Sequence, residues 1–195
     1  MKISIEQIRE LREKTGVSIM KCREALELAE GDFEKAIIEL RKKGESSAAK
    51  RVGRSTGEGV VASYIHSNGK VGVLLELRCE TDFVARNEEF QALAKELAMH
   101  VAAMGPIYVA PDDISEDVIK KEEELEREAL KDSEKTKEVI EKIIEGKLKK
   151  FKEENSLLTQ PFIKDPDKTI SELVKEKITK LGENIQVERF TRFEI

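Results

Sequence analysis

The sequence predicts an α+β fold: an N-terminal three-helix bundle, a small antiparallel sheet core packed by helices, and a projecting helical hairpin. Three observations carry that prediction. Apolar residues in 1–45 recur at helical spacing between Ser, Gly and Asp punctuation. Residues 71–79 alternate in polarity after an Asn-Gly turn, the pattern of a half-buried strand. From 115 to about 152 the chain is charge-rich, with apolar residues at helical spacing.

Within 1–45, Ser4 followed by Gln7 resembles a capping box, and Ile5, Ile8 and Leu11 mark a buried stripe. Gly16 ends this helix. Ser18 is placed to cap a second, whose Cys22, Ala25, Leu26 and Ala29 share one face before Gly31 stops it. Asp32 caps a third helix, with Phe33, Ala36, Ile37 and Leu40 inward. Met20 points about 170° away from the second helix's stripe, either as a single exposed apolar residue or as part of a docking patch. Residues 46–57 lie in a stretch, GESSAAKRVGRSTG, with few large apolar side chains, and read as a linker.

Residues 58–195 form the core domain. A sheet hairpin over 60–79 turns at Ser67-Asn68-Gly69, with Val71, Val73, Leu75, Leu77 and Cys79 on one face and Glu76 and Arg78 on the other. A loop, Glu80 to Arg86, leads to a helix over 87–104 that Asn87 can cap; Phe90, Ala94, Leu97 and Val101 face inward, and Gly105-Pro106 ends it. The helical hairpin comes next, at about 115–152, broken near Asp132-Ser133. Val118, Leu125 and Ala129 give its first arm a thin seam; Ile140, Ile143, Ile144, Leu148 and Phe151 give the second a wider one. A loop holding Pro161 and Pro166 precedes a helix over 170–181, with a Thr169-to-Glu172 capping box, Leu173, Val174, Ile178 and Leu181 inward, and Gly182 as its stop. The last strand, 185–195, joins the hairpin's sheet, its alternation slipping near Phe190.

Composition narrows the function. The 195 residues carry a net charge of −5 with 38% charged side chains, a balance that argues against a dedicated nucleic-acid binder. No apolar run is long enough to cross a bilayer, and MKISIEQIRE lacks a secretory signal's apolar centre, so a cytoplasmic location is expected. Cys22 and Cys79 lie far apart in apolar surroundings, as buried thiols do in a reducing compartment. Many charges and only eight Asn or Gln residues hint at a thermophile.

Signs of an enzyme are lacking. His66 and His100 are the only histidines, and no HxxxH, HExxH or CxxC pair is present to hold a metal. A loose GxGxxA pattern at Gly57–Ala62 opens a strand, where the dinucleotide motif would begin a helix. Glu122, Glu123 and Glu124 read as a solvated face. No cofactor is expected. Thr81-Asp82-Phe83-Val84 stands out, an acid and an aromatic side by side in a loop fixed at both ends. From pattern alone two readings remain: Phe83 packed under the sheet with Asp82 satisfying loop amides, or both presented to a partner.

These segments together resemble the bacterial elongation factor Ts family. Leu11-Arg12-Glu13-Lys14-Thr15-Gly16-Val17, continuing through Met20-Lys21-Cys22-Arg23-Glu24-Ala25-Leu26, is similar to its opening signature, and Glu30-Gly31-Asp32 fits as well. Cys79-Glu80-Thr81-Asp82-Phe83-Val84-Ala85-Arg86-Asn87 resembles its second. Ala98 to Ala103, Pro161-Phe162 and Arg192-Phe193-Glu194 extend the likeness along the whole chain.

The resemblance implies a non-catalytic guanine-nucleotide exchange factor that binds elongation factor Tu, GDP-bound or nucleotide-free, and speeds GDP release. It implies that residues 1–45 are a UBA-like docking bundle, with Arg12, Ile19 and Met20 as candidate contacts. It further implies that Thr81, Asp82, Phe83 and Val84 intrude beside the partner's magnesium and dislodge it. Many members carry two central sheet modules, whereas this chain has room for one; its short form is similar to members that dimerise. A homodimer is therefore expected, noncovalent because neither cysteine lies near the C-terminus, with no direct nucleic-acid or membrane contact. The competing class, a ubiquitin-like or nascent-chain binding module, would account for residues 1–45 alone.

Overall fold

The first helix, α1 (Ile5–Thr15), opens with the capping box the sequence predicts: Ser4 Oγ accepts the Gln7 N–H at 3.1 Å, and Gln7 Oε1 accepts the Ser4 N–H at 3.0 Å. The computed structural model that carries it describes residues 3–131, 133 and 135–195 and is α+β. Its residues cluster into two units: Met1–Val60, Arg78–Phe90 and Glu172–Gln186 in the first, Val61–Leu77, Gln91–Ser171 and Val187–Ile195 in the second.

In the first unit α1 packs with α2 (Ile19–Leu28) and α3 (Phe33–Ala49) around Ile8, Leu11, Cys22, Ala25, Leu26, Ala29, Ala36 and Leu40. Ile5 departs from the predicted stripe and is 70% exposed. At 100° per residue it stands about 120° around the helix from Leu11, beyond the buried arc. Ser18 occupies the N-cap position of α2, but its side chain makes no capping bond. Asp32 does cap α3, accepting the Lys35 N–H at 3.0 Å, and this bond holds its carboxyl below the usual range.

α3 runs to Ala49, into the stretch read as a linker. Gly44 is the reason the pattern misleads. It does not end the helix but lets helix α8 (Ile170–Leu181) come close: Thr179 Oγ1 donates to the Gly44 carbonyl at 3.1 Å, and a Cβ on Gly44 would sit 3.3 Å from Thr179. Ala48, 1% exposed, then continues the buried side. Gly16, at φ 65°, ends α1 as predicted, and Lys180's stem passes where a Cβ would be, 2.9 Å away.

Strands β1 (Glu58–Ile65), β2 (Val71–Cys79) and β5 (Ile185–Glu194) form a sheet in the order β1-β2-β5. The Asn-Gly turn closes as predicted: the Gly69 N–H donates to the His66 carbonyl at 2.8 Å, and Asn68 Oδ1 accepts the Lys70 N–H at 2.9 Å. β5 runs antiparallel to β2, since Arg189 pairs with Glu76 at 2.8 Å and the Ile195 N–H reaches the Lys70 carbonyl at 3.0 Å. Val73, Leu75, Leu77 and Cys79 are buried. Along β5, Ile185 and Val187 are buried, then Glu188 and Arg189 are both exposed, so the alternation slips just before Phe190.

Helix α5 (Glu88–Met104) buries Phe90, Ala94, Leu97 and Val101 as predicted, capped by Asn87 Oδ1 on the Glu89 N–H at 2.8 Å. In the second unit α6 (Glu116–Ala129) and α7 (Lys137–Asn155) pack as the helical hairpin. Asp132 of the predicted break lies outside the described residues. The seam on α6 is a correction. Leu125 is 65% exposed and Ala129 is exposed, while Glu122, Glu123 and Glu126 are half-buried. Those carboxylates meet cations: Arg127 holds Glu123 and, across the hairpin, Glu141, both at 2.8 Å, and Lys147 pairs with Glu126. The half-buried side of the helix thus lies about a residue away from the face its apolar positions indicate.

The loop read around Pro161 and Pro166 is a two-stranded antiparallel ribbon, β3 (Pro161–Phe162) and β4 (Asp165–Thr169), pairing Phe162 with Asp165 and Pro161 with Thr169. Asp-Pro-Asp-Lys-Thr is poor in strand formers, Thr169 apart. The ribbon's support is fully buried His100, whose Nδ1 accepts the Ile163 N–H at 3.3 Å. Its Nε2 therefore carries the proton and donates to Gln160 Oε1 at 3.0 Å. Among the described residues no helix is long and apolar enough to cross a membrane.

Candidate functional site

β2, buried on one face, ends at Cys79, and within three residues the chain turns outward. Thr81 makes the turn. Its backbone is extended, at φ −130° and ψ 157°, and its hydroxyl accepts the Val84 N–H at 3.5 Å, capping the single turn α4 (Asp82–Ala85). The Asn87 N–H closes that turn on the Val84 carbonyl at 2.9 Å, and Asn87's side chain then starts α5. A one-turn helix between two fixed elements has one side in and one out. Ala85 is buried, Asp82 and Val84 are half-buried, and Phe83 is 82% exposed. Phe83 is therefore not packed beneath the sheet. Asp82 pairs with Arg86 at 3.0 Å across the turn.

The turn rests on polar contacts from below and behind. Cys79, fully buried, donates its thiol to the Thr81 carbonyl at 3.2 Å, and burial first, then the charge of Glu183, pushes the thiol up to about 11. Glu183 accepts the backbone N–H groups of Glu80 and Thr81 and the Thr81 hydroxyl. On the far side of the turn, Glu89 pairs with Lys180 at 2.7 Å and Lys177 at 3.3 Å. The Lys180 hydrogen bond is the main reason its carboxyl lies below the usual range. Glu183 and Glu89 were not singled out from sequence, and no local signal marks them. Glu183 lies 102 residues from the hydroxyl it holds.

The family profile described as Elongation factor TS matches residues 5–195. This chain belongs to the elongation factor Ts family. Curated relatives of that name agree in length as well as sequence. The protein of Thermosipho melanesiensis is 56% identical over 193 residues, 99% of this chain and 98% of the relative. That of Fervidobacterium nodosum is 55% identical over 195 residues, covering 100% and 99%. That of Thermotoga maritima is 52% identical over 195 residues, covering 100% and 97%.

The other residues that family resemblance singled out lie on α1 and at the start of α2. Arg12 is exposed, Ile19 is 50% and Met20 64% exposed. They share the first unit with Thr81–Val84, yet no hydrogen bond or ion pair joins them to it among the described residues. Thus Thr81, Asp82, Phe83 and Val84 form one continuous feature, and Arg12, Ile19 and Met20 a second. Among the described residues no three His, Cys, Asp or Glu side chains converge to hold a metal.

Proposed function

We propose that this protein is a non-catalytic guanine-nucleotide exchange factor for elongation factor Tu, working in the cytoplasm on its GDP-bound and nucleotide-free forms. The observation that carries the reading is Phe83, 82% exposed on a turn whose other residues are tied down. An aromatic held in water by a fixed backbone loses little freedom on entering an apolar pocket, which makes it an interface anchor. Asp82 arrives beside it. In the proposed complex the pair intrudes next to the partner's magnesium and dislodges it. Losing magnesium removes charge neutralisation from the GDP phosphates, and a nearby carboxylate disfavours them further. Linkage makes the effect mutual: the factor by which this chain weakens GDP is the factor by which GDP weakens this chain.

Docking is assigned to the bundle of residues 1–45, with Arg12, Ile19 and Met20 toward the partner. Labelled-GDP release from elongation factor Tu tests the whole reading. The unaltered chain should accelerate release, and Met20→Ser should raise the half-saturating concentration about fivefold with the maximal rate kept. Absence of acceleration would sink the reading.

A noncovalent homodimer completes it. In the second unit Ile65, Val71, Leu74, Phe193 and Ile195 surround a shallow recess of about 410 Å³. Leu74, Ile65 and Phe193 are respectively 52%, 66% and 68% exposed, an apolar face that a second copy would cover. Light scattering at micromolar concentration should give twice the chain mass; a monomer would refute it.

A further inference from the structure

The turn bearing Asp82 and Phe83 is too short to fix its own angle. A single helical turn has one or two internal hydrogen bonds and is marginal alone. Its restraint comes from Gly182-Glu183-Asn184, between α8 and β5. Glu183 Oε2 accepts the Thr81 N–H at 3.0 Å and the Glu80 N–H at 3.2 Å, while Oε1 accepts the Thr81 hydroxyl at 2.6 Å. The clasp is reciprocal. The Asn184 N–H donates to Glu80 Oε1 at 2.6 Å, and Asn184 Nδ2 donates to the Arg54 carbonyl at 2.9 Å.

Because the Thr81 hydroxyl directs its proton to Glu183, its lone pairs are left for the Val84 N–H at 3.5 Å. One side chain thus holds the backbone before the turn and sets the cap that shapes it. The two carboxyl oxygens take three donors between them, and such bonds to a carboxylate are stronger than neutral ones.

We propose that Glu183 is a positioning residue for nucleotide exchange, aiming Phe83 at the partner through Glu80 and Thr81. This rests on the reading of Thr81–Val84 as the exchange wedge.

The test is a cycle: Glu183→Ala and Glu183→Gln, each alone and combined with Phe83→Ala. GDP release from elongation factor Tu is followed over a range of chain concentrations, with thermal melting alongside. Glu183→Ala should lower the maximal release rate about tenfold and leave the half-saturating concentration unchanged. Glu183→Gln, which can keep its oxygen on the two backbone N–H groups but turns an NH2 toward the Thr81 hydroxyl, should fall between it and the unaltered chain. In the Phe83→Ala background either change should add about twofold or less, since the group being aimed is gone.

Additive effects would overturn the proposal, as would a rate loss explained wholly by the folded fraction. Should Glu183→Ala melt below the assay temperature, the near-isosteric Gln variant carries the cycle. If the unaltered chain fails to speed release, the wedge reading fails and the proposal with it. If the unaltered chain and Phe83→Ala behave as a wedge requires while the Glu183 variants exchange at full rate, the proposal alone fails.

Discussion

Phe83 and Leu125 are both large apolar side chains standing in water, 82% and 65% exposed, but what lies behind them differs. Behind Phe83 is a turn tied locally to buried Cys79 and, by bonds that span the sequence, to Glu183. Behind Leu125 is a helix with no buried residue, held to its neighbour by ion pairs such as Arg127–Glu141. Exposure alone is therefore a poor guide to function, since scattered exposed apolar residues are ordinary. Exposure on a backbone that cannot yield is a better one.

The largest effect that separates the two is on exchange. Phe83→Ala should cut stimulation of GDP release about thirtyfold, the worth of a hot-spot aromatic of about 2 kcal/mol, with melting little changed. Leu125→Ala should leave exchange alone and stability within about 0.5 kcal/mol. Equal effects from both would erase the distinction.

Thiol labelling gives an intermediate effect. With its pKa about 11, Cys79 is thiolate in roughly one molecule in a thousand at pH 8, and it is fully buried, so alkylation should be slow. Glu183→Ala should speed labelling at Cys79, under the turn, while Cys22, in the bundle core, stays slow. A matching rise at both, read by peptide mass spectrometry, would mean general loosening rather than loss of a local brace.

The smallest effect belongs to the hairpin. Arg127→Ala should lower the melting temperature slightly in dilute buffer and not at all in about 1 M salt, where exposed charges are screened. A loss that persisted in salt would place the hairpin's ion pairs with the turn's brace instead.

Sequence reading succeeded where one face of an element meets a wholly apolar core. Leu11, Leu26 and Leu40 of the bundle, and Leu75 and Leu77 of β2, follow their periods and are buried. It failed where burial is decided by something period does not encode. Leu125 stands in water while Glu123 and Glu126 are half-buried and paired with cations. The stretch from Gly44 read as a linker for want of large apolar residues, because close approach of another helix leaves no mark in its own segment. The β3–β4 ribbon exists through His100, sixty-three residues from the amide it accepts. At the site, Thr81–Val84 and the cap at Asn87 were legible, but the segment read as a loop is the one-turn helix Asp82–Ala85, and neither that turn nor the two glutamates beside it was marked, the glutamates' contacts being long-range.

Helix α8 serves both halves of the first unit. Thr179 touches α3 at Gly44, Lys180 slides past Gly16 to reach Glu89, and Glu183 comes just after the helix ends. Bundle and turn are in this sense gauged from a single rod. Deleting one residue from its middle would shift the C-terminal half of the rod by about 1.5 Å and rotate it by about 100°. Thr179, Lys180 and Glu183 would then be displaced together from Gly44, Glu89 and Thr81. Substitutions on the exposed face of the rod can be absorbed one at a time, but a change in its length cannot. Among descendants of this gene, the exposed positions of α8 should drift in spelling while the helix holds the same count of letters.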